Sequence, residues 1–352
     1  MNLPDFCVGV TGLNMTDSPA PGVAVMRCIK EGFKNRFTGI GFGYDSMDAG
    51  LYERQFFKHV YLLPYPSEGP ENLLERILTI HKKTPMDVII PTLDAELFNF
   101  ISIRKDLQKE GIMTFYPTKE QYEMCAKIKL HVLGEKADIL IPKTSVEKEL
   151  KKLSAGIENI GFPLMVKGIY YDAYLAYSYD EVYRFTRKIV SRWGMPVILQ
   201  KYIRGVELDV AALGDGEGGC IGYVPMRKLI ITDKGKGWAA VTINDQKISA
   251  LVSRFFSATK WQGPAELELI KEEGSDNYYL IEINNRFPAW IYLSKAAGIN
   301  LPYLTVLMAR GETVEKNQPY KIGVVYNRGT CDLVFDMKQL EIMNMEGELH
   351  YE

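Results

Sequence analysis

At 352 residues, with 47% hydrophobic and 24% charged residues, the chain has the make-up of a soluble globular protein long enough for two or three domains. A net charge of −2 speaks against a general affinity for nucleic acid, and no apolar run approaches the length of a membrane span. The five cysteines are scattered without zinc spacing, and Met1–Asp5 lacks the basic start of a secretory signal, so a reducing, cytoplasmic setting is expected.

The chain opens on a short apolar strand, Phe6–Gly12, a loop over Leu13–Gly22 and a helical pattern over Val23–Glu31. Further strands are predicted at Gly39–Gly43, Val60–Pro64 and Asp87–Thr92, with a helix over Glu71–Lys82. This alternation predicts a doubly wound α/β domain. The first loop lacks a G-x-G-x-x-G fingerprint, so a dinucleotide site is not supported. Pro91–Glu96 lies at a strand C-terminus, the edge where open α/β sheets bind ligands. Asp94 or Glu96 there either holds a substrate amine or, with Thr92 or Asp94 as cap, opens the helix Leu97–Lys109.

A helix is predicted over Thr118–Lys136, and Ile160–Lys167 is an apolar strand that delivers one lysine at its end. The loop Gly168–Ala176 has one glycine and three tyrosines, Tyr170, Tyr171 and Tyr174, whose bulk limits backbone approach to a ligand. A helix follows over Glu181–Trp193, then a strand, a break near Gly205 and a second strand across Pro196–Val210. Pro225–Lys228 ends another strand. The basic, glycine-rich Thr232–Trp238 lacks Walker spacing and reads either as a mobile lid or as a solvated hairpin tip.

Pro264–Ile270 and Tyr279–Ile283, joined by the turn Glu272–Asn277, read as a hairpin. Side-chain alternation puts Glu282, Asn284 and Arg286 on one face, with Glu268 beside Glu282. A carboxylate, an amide oxygen and a guanidinium in one row are costly to bury unpaired, and a divalent metal carrying polyphosphate pairs with all three. A surface hairpin with solvated acids is the plainer reading. From Lys321 one or two strands are expected to return to the catalytic domain.

This hairpin resembles the metal-binding hairpin of ATP-grasp enzymes, in which an acidic or amide residue on one strand is followed by E-x-N-x-R on the next; the match is Glu268, then Glu282, Asn284 and Arg286. Gly161–Lys167 resembles the family pattern G-[FY]-P-x-x-V-K. The resemblance implies that Lys167 and Lys127 meet nucleotide phosphates. Lys129 is a rival to Lys127, because the usual Asp-Lys pair appears as Ala126-Lys127. It further implies that Gln200 and the backbone of Lys201 and Ile203 meet adenine, and that Glu207 holds ribose. Arg227, Arg286 and Lys236 would then serve the transferred phosphoryl group, with Glu268, Glu282 and Asn284 as metal ligands.

The N-terminal region resembles the pre-ATP-grasp domain of the carbamoyl phosphate synthetase and biotin carboxylase branch. The implied organisation is an α/β domain over 1–117 and a two-lobed α+β ATP-grasp domain over 118–312, with lobes 118–203 and 204–312. Residues 313–352 form a C-terminal strand extension. The implied activity is ADP-forming ligation of a carboxylate to an amine through an acyl-phosphate, with ATP and Mg²⁺, Mn²⁺ being able to substitute. Its partners are small-molecule or peptide carboxylates and amines, with neither nucleic acid nor membrane. A second copy of the chain and a carrier or substrate-delivery protein are further candidates. The alternative is a regulatory or scaffold protein that binds nucleotide without ligation. The tyrosine-rich loop favours it, and the joint presence of Lys167, Glu268, Glu282, Asn284 and Arg286 argues against it.

Overall fold

The computed structural model describes residues 6–16, 19–34, 36–169, 172–232, 235–330 and 332–351. Its first part runs β1 (Cys7–Val10), α1 (Gly22–Phe33), β2 (Thr38–Gly43), β3 (His59–Leu62), α2 (Pro70–Lys83), β4 (Val88–Ile90) and α3 (Asp94–Lys109). These four strands pair in parallel in the order β3-β2-β1-β4. Val8 and Val10 pack with Val25 and Ile29 of α1, whereas Ile40, Phe42 and Ile89 pack with Ile77 and Phe100 of α2 and α3. Two covered faces are what a parallel sheet requires. After β1 the chain turns at Gly12, whose φ of +69° suits glycine, so that Gly12 accepts from Gly22 at the start of α1.

The expected helix over 118–136 is interrupted. α4 (Lys119–Met124) ends, Ala126 is extended at φ −59° and ψ 139°, and a 3₁₀ turn over Lys127–Lys129 leads into α5 (Leu130–Ala137). The interruption turns Lys127 inward, as described below.

Next come β5 (Thr144–Glu147), α6 (Leu153–Ile160), β6 (Leu164–Gly168), β7 (Ala173–Ala176), α7 (Tyr179–Trp193) and β8 (Val197–Lys201). They build an antiparallel sheet in the order β5-β8-β6-β7. Leu164, Val166, Val197 and Leu199 form a core with α6 and α7 residues such as Leu153, Val182 and Ile189. Strand alternation therefore presents Met165, Lys167, Ile198 and Gln200 on the opposite face.

The last part holds β9 (Gly205–Asp215), β10 (Cys220–Ile231), β11 (Gly237–Thr242), α8 (Gln246–Thr259), β12 (Gln262–Glu272), β13 (Tyr278–Asn284), α9 (Tyr292–Ala296), α10 (Leu301–Ala309), β14 (Val325–Asn327), α11 (Met337–Glu346) and β15 (Glu348–His350). Six strands pair antiparallel as β13-β12-β9-β10-β11-β14. On one face Leu208, Val210, Leu267 and Leu269 bury against α5 and α8. On the other, Ala211, Leu213 and Met226 join the core that contains α1 and α10. The remainder of that second face is acidic and forms the site.

The C-terminal strands diverge from the expectation. β14 extends the six-stranded sheet, but β15 pairs antiparallel with β3 and closes an edge of the first sheet. Leu349 and Tyr351 are buried there with Val60. Among the described residues, no helix is long and apolar enough to cross a membrane.

Candidate active site

Register builds the site. Glu268 stands opposite Glu282 on β13 and opposite Asp209 on β9, and Glu266 stands opposite Asn284. Directly paired residues in a sheet point the same way, so these acids share one face. Asn284 Nδ2 donates to Glu266 Oε2 at 2.9 Å and to Glu268 Oε1 at 2.8 Å, which turns its Oδ1 away from both. Arg286 Nε donates to Asp94 Oδ2 at 3.0 Å and its Nη1 to Glu266 Oε2 at 3.2 Å. Trp290 Nε1 donates to the other oxygen of Glu266 at 2.7 Å. Asp94, at the start of α3, is thus tied through Arg286 to the end of β13.

Cations meet the acids from several directions. Lys127 Nζ lies 2.9 Å from Glu282 Oε1, and Glu282 keeps 22% of its side chain exposed to the cleft. Lys167 Nζ reaches the Ile281 carbonyl at 3.5 Å, next to Glu282. Lys228 Nζ, with only 4% of its side chain exposed, lies 3.1 Å from Glu207 and 3.2 Å from Asp209.

Burial pushes the Glu268 carboxyl up to about 7, and the neighbouring Glu282 charge adds to it. Burial also raises Asp209 well above the carboxylate range, with Glu268 and Glu266 nearby, against the opposing pull of Lys228. Glu282 is held low: burial pushes it up, but Lys127 and Lys167 outweigh that. The Lys167 ammonium is lowered, chiefly by burial and despite the Glu282 charge. Glu268 and Asp209 are thus raised by burial and by neighbouring carboxylates, a condition that a bound cation relieves.

Most of the candidates from the sequence converge here. Lys127, Glu207, Glu268 and Glu282 all lie within electrostatic reach of Lys167. Lys236 lies within reach of Arg286, Arg328, Glu266 and Glu268. Lys127 pairs with Glu282, whereas Lys129 is exposed. Gln200 is buried on the Lys167 face and contacts Thr144 Oγ1 at 3.3 Å. Ile203 lies in the connection between β8 and β9.

Other expectations are corrected. Arg227 pairs with Leu208, which faces the α5–α8 core, so Arg227 is exposed on the face away from the acids; Lys228 takes the inward position. The Lys201 amide donates to the Lys143 carbonyl at 2.8 Å, so any contact of its backbone with a base edge falls to the carbonyl. Glu96 is a buried helix cap that accepts from the amides of Thr92 and Leu93 at 2.8 and 2.9 Å and from the hydroxyls of Thr11 and Tyr44, so it holds no substrate amine. Tyr174 stacks on Phe185 of α7 and donates to Asp172, so its bulk is turned from the cleft. Tyr170, Tyr171, Asp233 and Lys234 lie outside the described residues.

Glu266, Asp209, Lys228 and Trp290 were not singled out from the sequence. The first two carry a signal: Glu266-x-Glu268 and Glu207-x-Asp209 both repeat an acid at the strand period.

Among the described residues, no group of three or more His, Cys, Asp or Glu converges as a closed metal cage. The donors on offer are two carboxylates and an amide oxygen. That set fits Mg²⁺, which keeps waters and takes phosphate oxygens as its remaining ligands.

Comparison with known proteins gives a consistent picture. A family model described as "ATP-grasp in the biosynthetic pathway with Ter operon" matches residues 195–330. The chain is 25% identical over 240 residues to the carbamoyl phosphate synthase large chain of Pseudothermotoga lettingae, covering 64% of this chain and 21% of that one. It therefore spans about a fifth of the length of that relative. The biotin carboxylase domain of Hydrogenobacter thermophilus 2-oxoglutarate carboxylase, solved with MgADP and bicarbonate, superposes with a TM-score of 0.72 at 17% identity, over 91% of this chain and 73% of that one. The L-amino acid ligase of Bacillus licheniformis superposes with a TM-score of 0.66 at 16% identity, over 88% and 75%.

Proposed function

We propose that this chain is an ATP-grasp enzyme, an ATP-dependent, ADP-forming ligase that joins a carboxylate to an amine or a related nucleophile. The observation that carries this reading is the pairing of Glu268 with Glu282 beside Asn284, faced by Lys127 and Lys167 from the first lobe. Glu268, Glu282 and Asn284 Oδ1 would hold Mg²⁺, which supplies charge neutralisation for the polyphosphate when bound; Mn²⁺ suits the same oxygens.

The chain's own residues then position and neutralise. Lys127 and Lys167 already compensate Glu282 and are the cations that ATP phosphates draw on. Gln200, the Ile203 backbone and Glu207 line the expected adenosine side. A substrate carboxylate oxygen attacks the γ-phosphorus, its bond to the β–γ bridging oxygen breaks, and ADP leaves. The amine then attacks the acyl carbon and expels phosphate. Arg286 and Lys236 face the charge that develops on the transferred group. Asp94 and Glu266 hold the Arg286 guanidinium, so it need not reorganise during the reaction. We place the reaction in the cytoplasm, where ATP is supplied and thiols such as Cys28 and Cys125 stay reduced.

Measuring ADP release against a panel of carboxylates paired with amines tests the function. Release that depends on both partners is expected. ATP binding with no carboxylate-dependent ADP from any pairing overturns it.

The lysines separate by step. Lys167→Ala is expected to weaken ATP by on the order of tenfold while adenosine affinity holds, since the ammonium meets phosphate alone. Equal losses for the two ligands in calorimetry contradict that role. Lys236→Ala is expected to lower the ligation rate more than ATP affinity, because its contact serves the transition state. Unchanged turnover in this variant returns residues 235–238 to the role of a plain hairpin tip.

A further inference from the structure

A cavity of about 1150 Å³ lies outside the acid cluster, between α1 and the segments that carry Trp238, Tyr292 and Arg328. Its volume exceeds the roughly 300–1,000 Å³ of clefts that enclose drug-sized ligands. A single small amino acid or bicarbonate would leave most of it unfilled.

Its chemistry is two-sided. Trp238, Tyr292, Tyr326, Phe56 and Val23 provide apolar and aromatic wall. Among the described lining residues, Arg27, Lys30, Lys34, Lys295 and Arg328 are cationic, and only Glu31 and Glu53 are anionic. Arg27 and Lys30 stand three residues apart on α1 and so share one helix face, and Lys34 follows as the left-handed residue that caps the helix C-terminus. Glu31 is already engaged: Arg27 lies 3.3 Å away, the Tyr292 hydroxyl donates to it at 2.9 Å, and Lys295 pairs with it. Positive charge is therefore in excess along a wall that is otherwise apolar.

The cavity wall is close in sequence to the reaction centre. Arg328 donates its amide to the Trp238 carbonyl at 2.9 Å, and both residues line the cavity. Lys236, two residues before Trp238, lies within electrostatic reach of Arg328 on one side and of Arg286, Glu266 and Glu268 on the other. Ala289, just beyond Arg286, lines the cavity too.

We infer that this cavity binds the carboxylate substrate, and that the substrate is an elongated molecule with a second anionic group and an aromatic or apolar body. The reacting carboxylate sits at the Arg328–Lys236 end, facing the γ-phosphate. The body lies along Trp238 and Tyr292, and the second anion meets Lys30 and Lys34. This inference rests on the ligase reading for which end reacts, but binding itself requires no turnover.

The test is calorimetric titration of the full chain with three probes, with and without Mg-ADP: N-acetyl-phenylalanyl-glutamate, N-acetyl-phenylalanyl-lysine amide, and acetate. The dianionic dipeptide is expected to saturate one site at least tenfold more tightly than the cationic dipeptide or acetate. Lys30→Glu/Lys34→Glu is expected to weaken it at least tenfold while ATP affinity stays within twofold. Lys34→Glu alone, on an exposed side chain at the end of α1, gives the same direction should the double variant fold poorly. Equal affinity for the two dipeptides, no saturable binding of the dianionic one, or charge reversal without effect overturns the assignment. A chain that binds the dianionic probe yet releases no ADP with any carboxylate would overturn the ligase reading and leave this site standing.

Discussion

Replacing Glu282 by alanine is expected to cut Mg²⁺-dependent ATP turnover by on the order of 10²-fold or more, with little change in unfolding. Glu282 joins the two charge systems of the site, standing opposite Glu268 and 2.9 Å from Lys127. Without it a divalent ion loses one of two carboxylates, and Lys127 and Lys167 lose the anion that holds them together. The structural cost is small, because Glu282 and Lys127 keep 22% and 24% of their side chains exposed and water can solvate what remains. Glu268 also changes, since the Glu282 charge is the second cause, after burial, of its raised pKa. Glu282→Gln preserves shape and removes charge, so a matching loss there assigns the effect to charge. Wild-type-like turnover of Glu282→Ala at saturating Mg²⁺ would sink the metal assignment.

The parts of this site that the sequence reveals are those that local period decides. Glu282-x-Asn284-x-Arg286 needs only strand alternation to share a face, and the turn at Glu272–Asn277 makes Glu268 its neighbour. Which parity of β10 faces inward is set by its pairing with β9, where Met226 stands opposite Asp209 and Arg227 opposite Leu208. Arg227 and Lys228 are equally cationic, and nothing local ranks one over the other. The break at Ala126 is hidden for a related reason. Alanine favours helix, and the extended backbone there is repaid by a tertiary contact, Lys127 with Glu282. Glu96 caps α3 through the nearby amides of Thr92 and Leu93, but its remaining donors, the hydroxyls of Thr11 and Tyr44, come from far away in sequence. The return of β15 to β3 pairs His350 with His59, a contact that no window of sequence contains.

Arg286→Ala is expected to destabilise the protein by about 3 kcal/mol or more, the cost of stranding a buried charge. Arg286 keeps 19% of its side chain exposed and Glu266 only 7%. Burial acts against the guanidinium charge, but Asp94 and Glu266 outweigh it and raise its pKa. Without the arginine, Glu266 keeps Asn284 and Trp290 as donors but loses its full positive charge. Asp94, with 38% of its side chain exposed, can turn to water, so Asp94→Ala alone is expected to cost less than about 1 kcal/mol. The decisive comparison is Arg286→Ala/Glu266→Gln, which removes the stranded charge while nearly preserving volume. If burial of an unpaired carboxylate is the cause, the double variant recovers part of the loss in urea unfolding, although both it and the single variant lack ligase activity. If Arg286→Ala unfolds like the wild type, or if the added Glu266→Gln deepens the loss, Arg286 is not the counter-charge that lets an acidic sheet face lie beside Asp94 of α3.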